Sequence, residues 1–212
     1  MSFVSVEEAA EAFRQGRFVI ICDDEGRENE GDLAIAAEFA DAAAINFCAM
    51  MGRGLICCSL APEIVDRLGL PYMVPREENK SGYGTPFTVS VEARTGVTTG
   101  ISAADRARTV AVLIDEASSP DDLVMPGHMF PLKASPNGTL ERSGQTEASV
   151  DLAKIAGLRA GAVICEVMKD DGTMARRDDL LAFGREHDIP LVTVEAIAEW
   201  RRSQGERAEA AE

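Results

Sequence analysis

Ten residues, Asp23-Asp24-Glu25-Gly26-Arg27-Glu28-Asn29-Glu30-Gly31-Asp32, hold six carboxylates, one guanidinium and two glycines. This set suits a loop that folds over a hard cation and an anionic ligand together. Oxygen-only donors favour Mg²⁺ or Mn²⁺ over zinc or copper. A solvated acidic loop is the plainer alternative, and the embedded Arg27 and the glycines argue against it. A second chemical feature is Arg142-Ser143-Gly144-Gln145-Thr146, which opens a helical pattern. Backbone donors and the dipole at a helix N-terminus, with an Arg beside them, make an anion site. Glu166 is the third, a carboxylate interrupting the apolar run 162–168, where it must be paired, liganded or protonated. The fourth is His128, between Gly127 and an apolar pair. A structural role and an acid–base role both fit it.

The net charge of −15 argues against a nucleic-acid or anionic-membrane partner. No apolar run reaches the roughly 18 residues of a membrane span, and the start lacks a signal-peptide pattern, so a cytoplasmic protein is expected. The 212 residues, 46% of them hydrophobic, suit one domain over 1–203, with 204–212 as a disordered polar tail. Cys22, Cys48, Cys57, Cys58 and Cys165 form no C-x-x-C pair and sit in apolar runs, as reduced core residues do. Cys57 alone is a candidate to line a pocket. Two histidines are too few for a His-rich zinc site, and His187 reads as an ordinary helix-end residue.

The elements that position these groups alternate unevenly. Ser5 and Glu8 form a capping box for a helix that Gly16 stops. Strands are expected at 18–22, 33–37, 55–59, 87–91, 162–168 and 190–194. Helices are expected from Asp41 to about Met51, from Pro62, from Ser102 to about Glu116, from the 142–146 opening to Ile155 or Ala156 and from Asp178 to about His187. The aperiodic stretch 69–86 is long for a compact domain, and its core, 79–85, reads as a lid. Asn137-Gly138 reads as a hairpin turn. The fold class that follows is α/β in the mixed α+β sense: a mixed sheet with helices on both faces.

These segments, from about residue 5 to 200, resemble 3,4-dihydroxy-2-butanone 4-phosphate synthase of riboflavin biosynthesis. The matching stretches are 23–32, 81–85, 96–106, 126–132, 142–151, Glu166 and 170–176. The resemblance implies conversion of ribulose 5-phosphate to 3,4-dihydroxy-2-butanone 4-phosphate and formate. It also implies a lyase that uses Mg²⁺ or Mn²⁺ and a homodimer with sites at the subunit interface. Carried over residue by residue, it makes Arg27, Glu28 and Asp32 substrate contacts and Glu28 a metal ligand. Arg142, Ser143, Gly144, Gln145 and Thr146 become the substrate and phosphate loop. His128 and Glu166 become essential to activity, with Glu28 and Asp32 beside them as candidate acids and bases. One departure stands out: Gln145 occupies the position of the family's second metal ligand, a His. A neutral amide oxygen ligates Mg²⁺ more weakly. It leaves open a second reading, a weakened or non-catalytic paralogue that binds a sugar phosphate or a partner subunit.

Overall fold

Among residues 3–206, the part that this computed structural model describes, seven strands form one mixed sheet. They are β1 (Val19–Cys22), β2 (Gly31–Ala36), β3 (Cys57–Leu60), β4 (Val91–Ala93), β5 (Leu123–Lys133), β6 (Gly161–Glu166) and β7 (Leu191–Thr193). Their spatial order is β4-β5-β3-β6-β2-β1-β7. The pairs β3–β5 and β1–β7 are parallel, and the other four are antiparallel. The helices are α1 (Val6–Arg14), α2 (Ala42–Phe47), α3 (Pro62–Arg67), α4 (Ala103–Ile114), α5 (Gln145–Ile155), α6 (Arg177–His187) and α7 (Val194–Ser203).

The apolar runs are continuous because the sheet is covered on both sides. Along β1, Ile20 and Cys22 pack into the core that includes residues of α2 and α4, while Val19 and Ile21 pack into the core of α1, α5 and α7. A strand buried on both faces reads as an unbroken apolar stretch. The expected capping box at α1 is present, with Glu8 N bonded to Ser5 Oγ at 3.2 Å and Ser5 N to Glu8 Oε2 at 2.9 Å.

Two sequence expectations need correction, and one strand was not among those expected. Residues 126–132, which carry two prolines, belong to the eleven-residue strand β5. Conversely, most of 87–91 is not regular strand. Phe87 and Thr88 make single bridges to Leu132 and Tyr72, and β4 begins only at Val91. Asn137-Gly138 makes no hairpin. The strands before and after it, β5 and β6, flank β3 rather than each other, so the chain leaves the sheet through a 3₁₀ turn, Gly138–Leu140, into α5. A two-residue hairpin requires neighbouring antiparallel strands. Residues 204–206, the first of the expected tail, follow α7 directly: Gln204 N bonds Trp200 O at 3.2 Å, and Arg201 pairs with Glu206 at 2.6 Å. The rest of that expected tail, 207–212, lies outside the described residues.

Candidate active site

The acidic stretch is the connection between β1 and β2, and it is a built turn rather than a solvated run. Asp23 N bonds Glu30 O at 2.8 Å across its base. Asp24 holds Gly26 N through Oδ1 at 2.7 Å and Arg27 N through its carbonyl at 3.0 Å. Asp23 Oδ2 accepts from Arg27 Nη1 at 2.6 Å and from Glu28 N at 3.0 Å, so the guanidinium is folded back over its own loop. From outside, Arg176 Nη1 donates to Glu28 O at 2.8 Å and Asn29 O at 2.5 Å.

Antiparallel pairing of β2 with β6 sets Asp32 opposite Glu166. Asp32 is 4% exposed, and its Oδ1 has no hydrogen-bond partner. Burial, followed by the Glu166 charge, holds its carboxyl well above the usual range. Burial also raises Glu166, although its Oε2 accepts from Leu55 N at 2.8 Å. Gly54 permits that approach: a Cβ there would lie 2.5 Å from Glu166 Oε2. Two carboxyls facing one another in low dielectric favour sharing protons over double ionisation.

The third wall is the start of α5, with Gly144 as N-cap. Gln145 and Thr146 are buried behind it. Gln145 Oε1 accepts from Arg27 Nη1 at 3.1 Å, which joins the acidic loop to the helix N-terminus. Arg142 Nη1 pairs with the buried Glu147 Oε2 at 2.5 Å. Burial pushes the Glu147 carboxyl up while Arg142 opposes it.

These walls enclose a cavity of about 150 Å³. Its polar lining is Arg27, Glu28, Asp32, Thr85, Arg142, Gln145, Thr146 and Glu166, and its apolar lining includes Cys57, Phe87, Leu132 and Ile164. The structure thus brings together seven of the ten residues singled out in the sequence. Cys57 lies in the wall; burial raises its thiol well above the ordinary value, as suits a packing residue rather than a nucleophile. Ser143 and Gly144 do not line the cavity. His128 does not either: it projects from β5 at the far side of β3, half-exposed, with Nδ1 against Glu92. It is not gathered to the acidic loop within this chain. Sequence reasoning gave no role to Tyr83, which touches Arg27 and Arg142, or to Arg176, which clamps the loop. Both lie in stretches that carry the resemblance, 81–85 and 170–176.

The donors match a hard divalent cation in kind. Glu28, Asp32 and Glu166 offer carboxylates, Gln145 offers an amide oxygen, and the orphaned Asp32 Oδ1 is a buried acceptor without a donor. Among the described residues no three His, Cys, Asp or Glu side chains converge as a cage. Mg²⁺ is commonly held through one or two carboxylates and its own waters, so sparse ligation fits.

Residues 7–200 match the family model for 3,4-dihydroxy-2-butanone 4-phosphate synthase. The chain is 53% identical over 203 residues to the synthase of Pseudomonas syringae pv. tomato, covering 96% of this chain and 54% of that protein. It is 47% identical over 207 residues to the synthase of Cronobacter sakazakii, covering 98% and 94%. It thus spans about half the length of some curated relatives and nearly all of others. A solved 3,4-dihydroxy-2-butanone 4-phosphate synthase in complex with two magnesium ions superposes with a TM-score of 0.89 at 38% identity, covering 96% of this chain and 99% of that one.

Proposed function

The chain belongs to the 3,4-dihydroxy-2-butanone 4-phosphate synthase family, and from that premise we propose that it converts ribulose 5-phosphate to 3,4-dihydroxy-2-butanone 4-phosphate and formate in riboflavin biosynthesis. The observation that carries this reading is the cavity itself. It sets the raised pair Asp32 and Glu166 within one small space with Glu28, Arg27 and the α5 N-terminus. The sugar phosphate enters with its phosphate against Arg142, Thr146 and the first amides of α5, where the dipole and guanidinium favour a dianion. Its carbonyl end then lies toward Glu28, Asp32 and Glu166. Carboxyls raised by burial hold a proton more readily than free ones and can take and return it, which enolisation, loss of water and release of one carbon all require.

Glu28 and the Gln145 amide oxygen would hold Mg²⁺ or Mn²⁺. When bound, the cation supplies Lewis-acid stabilisation of charge developing on the sugar oxygens. Arg27 already donates to Gln145 Oε1, and its positive charge would weaken that oxygen as a cation ligand. His128 with Glu92, exposed on β5 outside the cavity, is suited to serve a second copy's site in a homodimer. The activity is that of a small-molecule lyase of the cytoplasm, with neither nucleic acid nor membrane as partner. No helix among the described residues is long and apolar enough to cross a membrane.

Incubation with ribulose 5-phosphate and Mg²⁺, with formate as the readout and Glu28→Ala as the control, tests the reading. Metal-dependent formate release above the control supports it. Phosphate binding without formate favours the non-catalytic paralogue.

A further inference from the structure

The 79–85 segment contributes Thr85 to the cavity lining, and another of its residues grips both arginines there. Tyr83 Oη donates to the Arg27 carbonyl at 2.7 Å. The Arg27 guanidinium lies over the Tyr83 ring, 4.9 Å from its centroid. The Tyr83 carbonyl accepts from Arg142 Nη2 at 3.3 Å. Core packing does not account for this placement, because Tyr83 is 47% exposed. The segment around it is tied mainly to itself. Asn79 Nδ2 donates to Thr85 O at 2.9 Å, Ser81 Oγ to Asn79 Oδ1 at 2.7 Å, and Gly84 N to Ser81 O at 3.0 Å. A Cβ at Gly82 or Gly84 would meet nothing within 4 Å. The segment is therefore a self-closed loop on open ground, fastened to the site through Tyr83.

We propose that Tyr83 is a positioning residue that couples the seating of the 79–85 loop to the aim of Arg27 and Arg142. Arg27 already directs Nη1 at Asp23 and Gln145. The ring beneath it fixes the plane of the guanidinium, and the hydroxyl fixes the backbone from which that side chain springs. Arg142 directs Nη1 at Glu147 and Nη2 at the Tyr83 carbonyl. Held by that carbonyl, Arg142 stays in the cavity wall, where a bound phosphate would meet its remaining N–H groups. Anion binding at Arg142 and seating of the loop are then linked events. This rests on the reading of Arg142 as a phosphate contact.

Tyr83→Phe keeps the ring and removes the hydroxyl; Tyr83→Ala removes both. An exposed cation–π contact and a hydrogen bond together correspond to about a tenfold effect. For Tyr83→Ala, backbone amides of 23–30 should exchange about tenfold faster with deuterium, and KM for ribulose 5-phosphate should rise about tenfold with kcat changed less than about threefold. Tyr83→Phe should show a smaller shift of the same kind, and its measurements carry the test should the Ala variant not fold. Unchanged exchange at 23–30 together with unchanged KM would overturn the proposal. So would a fall in kcat alone, which would place Tyr83 in the chemistry. The exchange arm needs no substrate. Should the parent release no formate, the functional reading fails by itself, and exchange with and without inorganic phosphate still decides the role of Tyr83.

Discussion

Asp32 and Asp151 are both buried aspartates in the same fold, at 4% and 1% exposure, yet their surroundings are opposite. Asp151, on α5, has three donors: Thr139 N at 2.8 Å, Thr139 Oγ1 at 2.7 Å and Arg201 Nη1 at 2.8 Å, all to Oδ2. It fastens the turn before α5 and the closing helix α7 to one point. Asp32 faces another carboxylate across the β2–β6 ladder and leaves Oδ1 without a donor. A buried charge with its partners holds a fold together, and one without them is costly to keep. Under the proposed function, the difference separates a structural carboxylate from one kept for chemistry. Asp32 lines the cavity that also holds Glu28 and Gln145.

The sharpest way to break the comparison is on the structural side. Asp151→Ala leaves Arg201 without its buried partner and should cost about 3–5 kcal/mol of stability, the range for breaking a buried pair. Urea unfolding measures this, and a loss below about 1 kcal/mol would mean that burial among donors does not mark a fastening point here. Next in size is Gln145→His. It restores an imidazole where Arg27 now takes an amide oxygen, and should tighten Mg²⁺ or Mn²⁺ by about 10- to 100-fold, the usual weight of a ligand or its support. Calorimetric titration reads the affinity, and formate production should rise with it. The pH profile should also gain a limb near 6.5, because only neutral imidazole ligates. Unchanged affinity and rate would mean that position 145 serves Arg27 rather than the metal.

The smallest effect is on stability against pH. The raised Asp32 carboxyl keeps a proton that the unfolded chain gives up. The stability it contributes is complete below the unfolded pKa of about 3.9 and is lost as pH rises through the folded value. Asp32→Asn removes that loss. The variant should therefore melt higher than the parent near pH 7, with the gain vanishing near pH 4. A gain that grows toward acid would reverse the sign and refute the burial argument.

Most of the sheet was legible because its strands are apolar runs with turn signals at their ends, and five of the six expected strands match within two residues. The cap at Ser5 and the start of α5 were legible for the same local reasons. What failed depended on which strands become neighbours. Asn137-Gly138 carries hairpin chemistry, but β3 lies between the strands on either side of it. Proline hid β5, although its two prolines are accommodated within the strand. In the site, charge pattern found Arg27, Glu28 and Asp32, and an interrupted apolar run found Glu166. No pattern could reveal that Gln145 Oε1 meets Arg27, 118 residues away, or that Tyr83 bridges two arginines. Those contacts arise from long-range packing of polar groups, which leaves no periodic trace. His128 was legible as a chemical group but not as one lying outside the cavity of its own chain.

The proposed function requires that Asp32 be kept unsatisfied for catalysis. Formate release from ribulose 5-phosphate with Mg²⁺ by Asp32→Asn, measured beside its own thermal unfolding at pH 7, tests it most directly. The prediction is a variant at least as stable as the parent whose rate falls by about 10²–10⁴, the weight of a positioned acid or base. A stable variant that releases formate at the parent's rate would contradict the claim and assign Asp32 to packing alone.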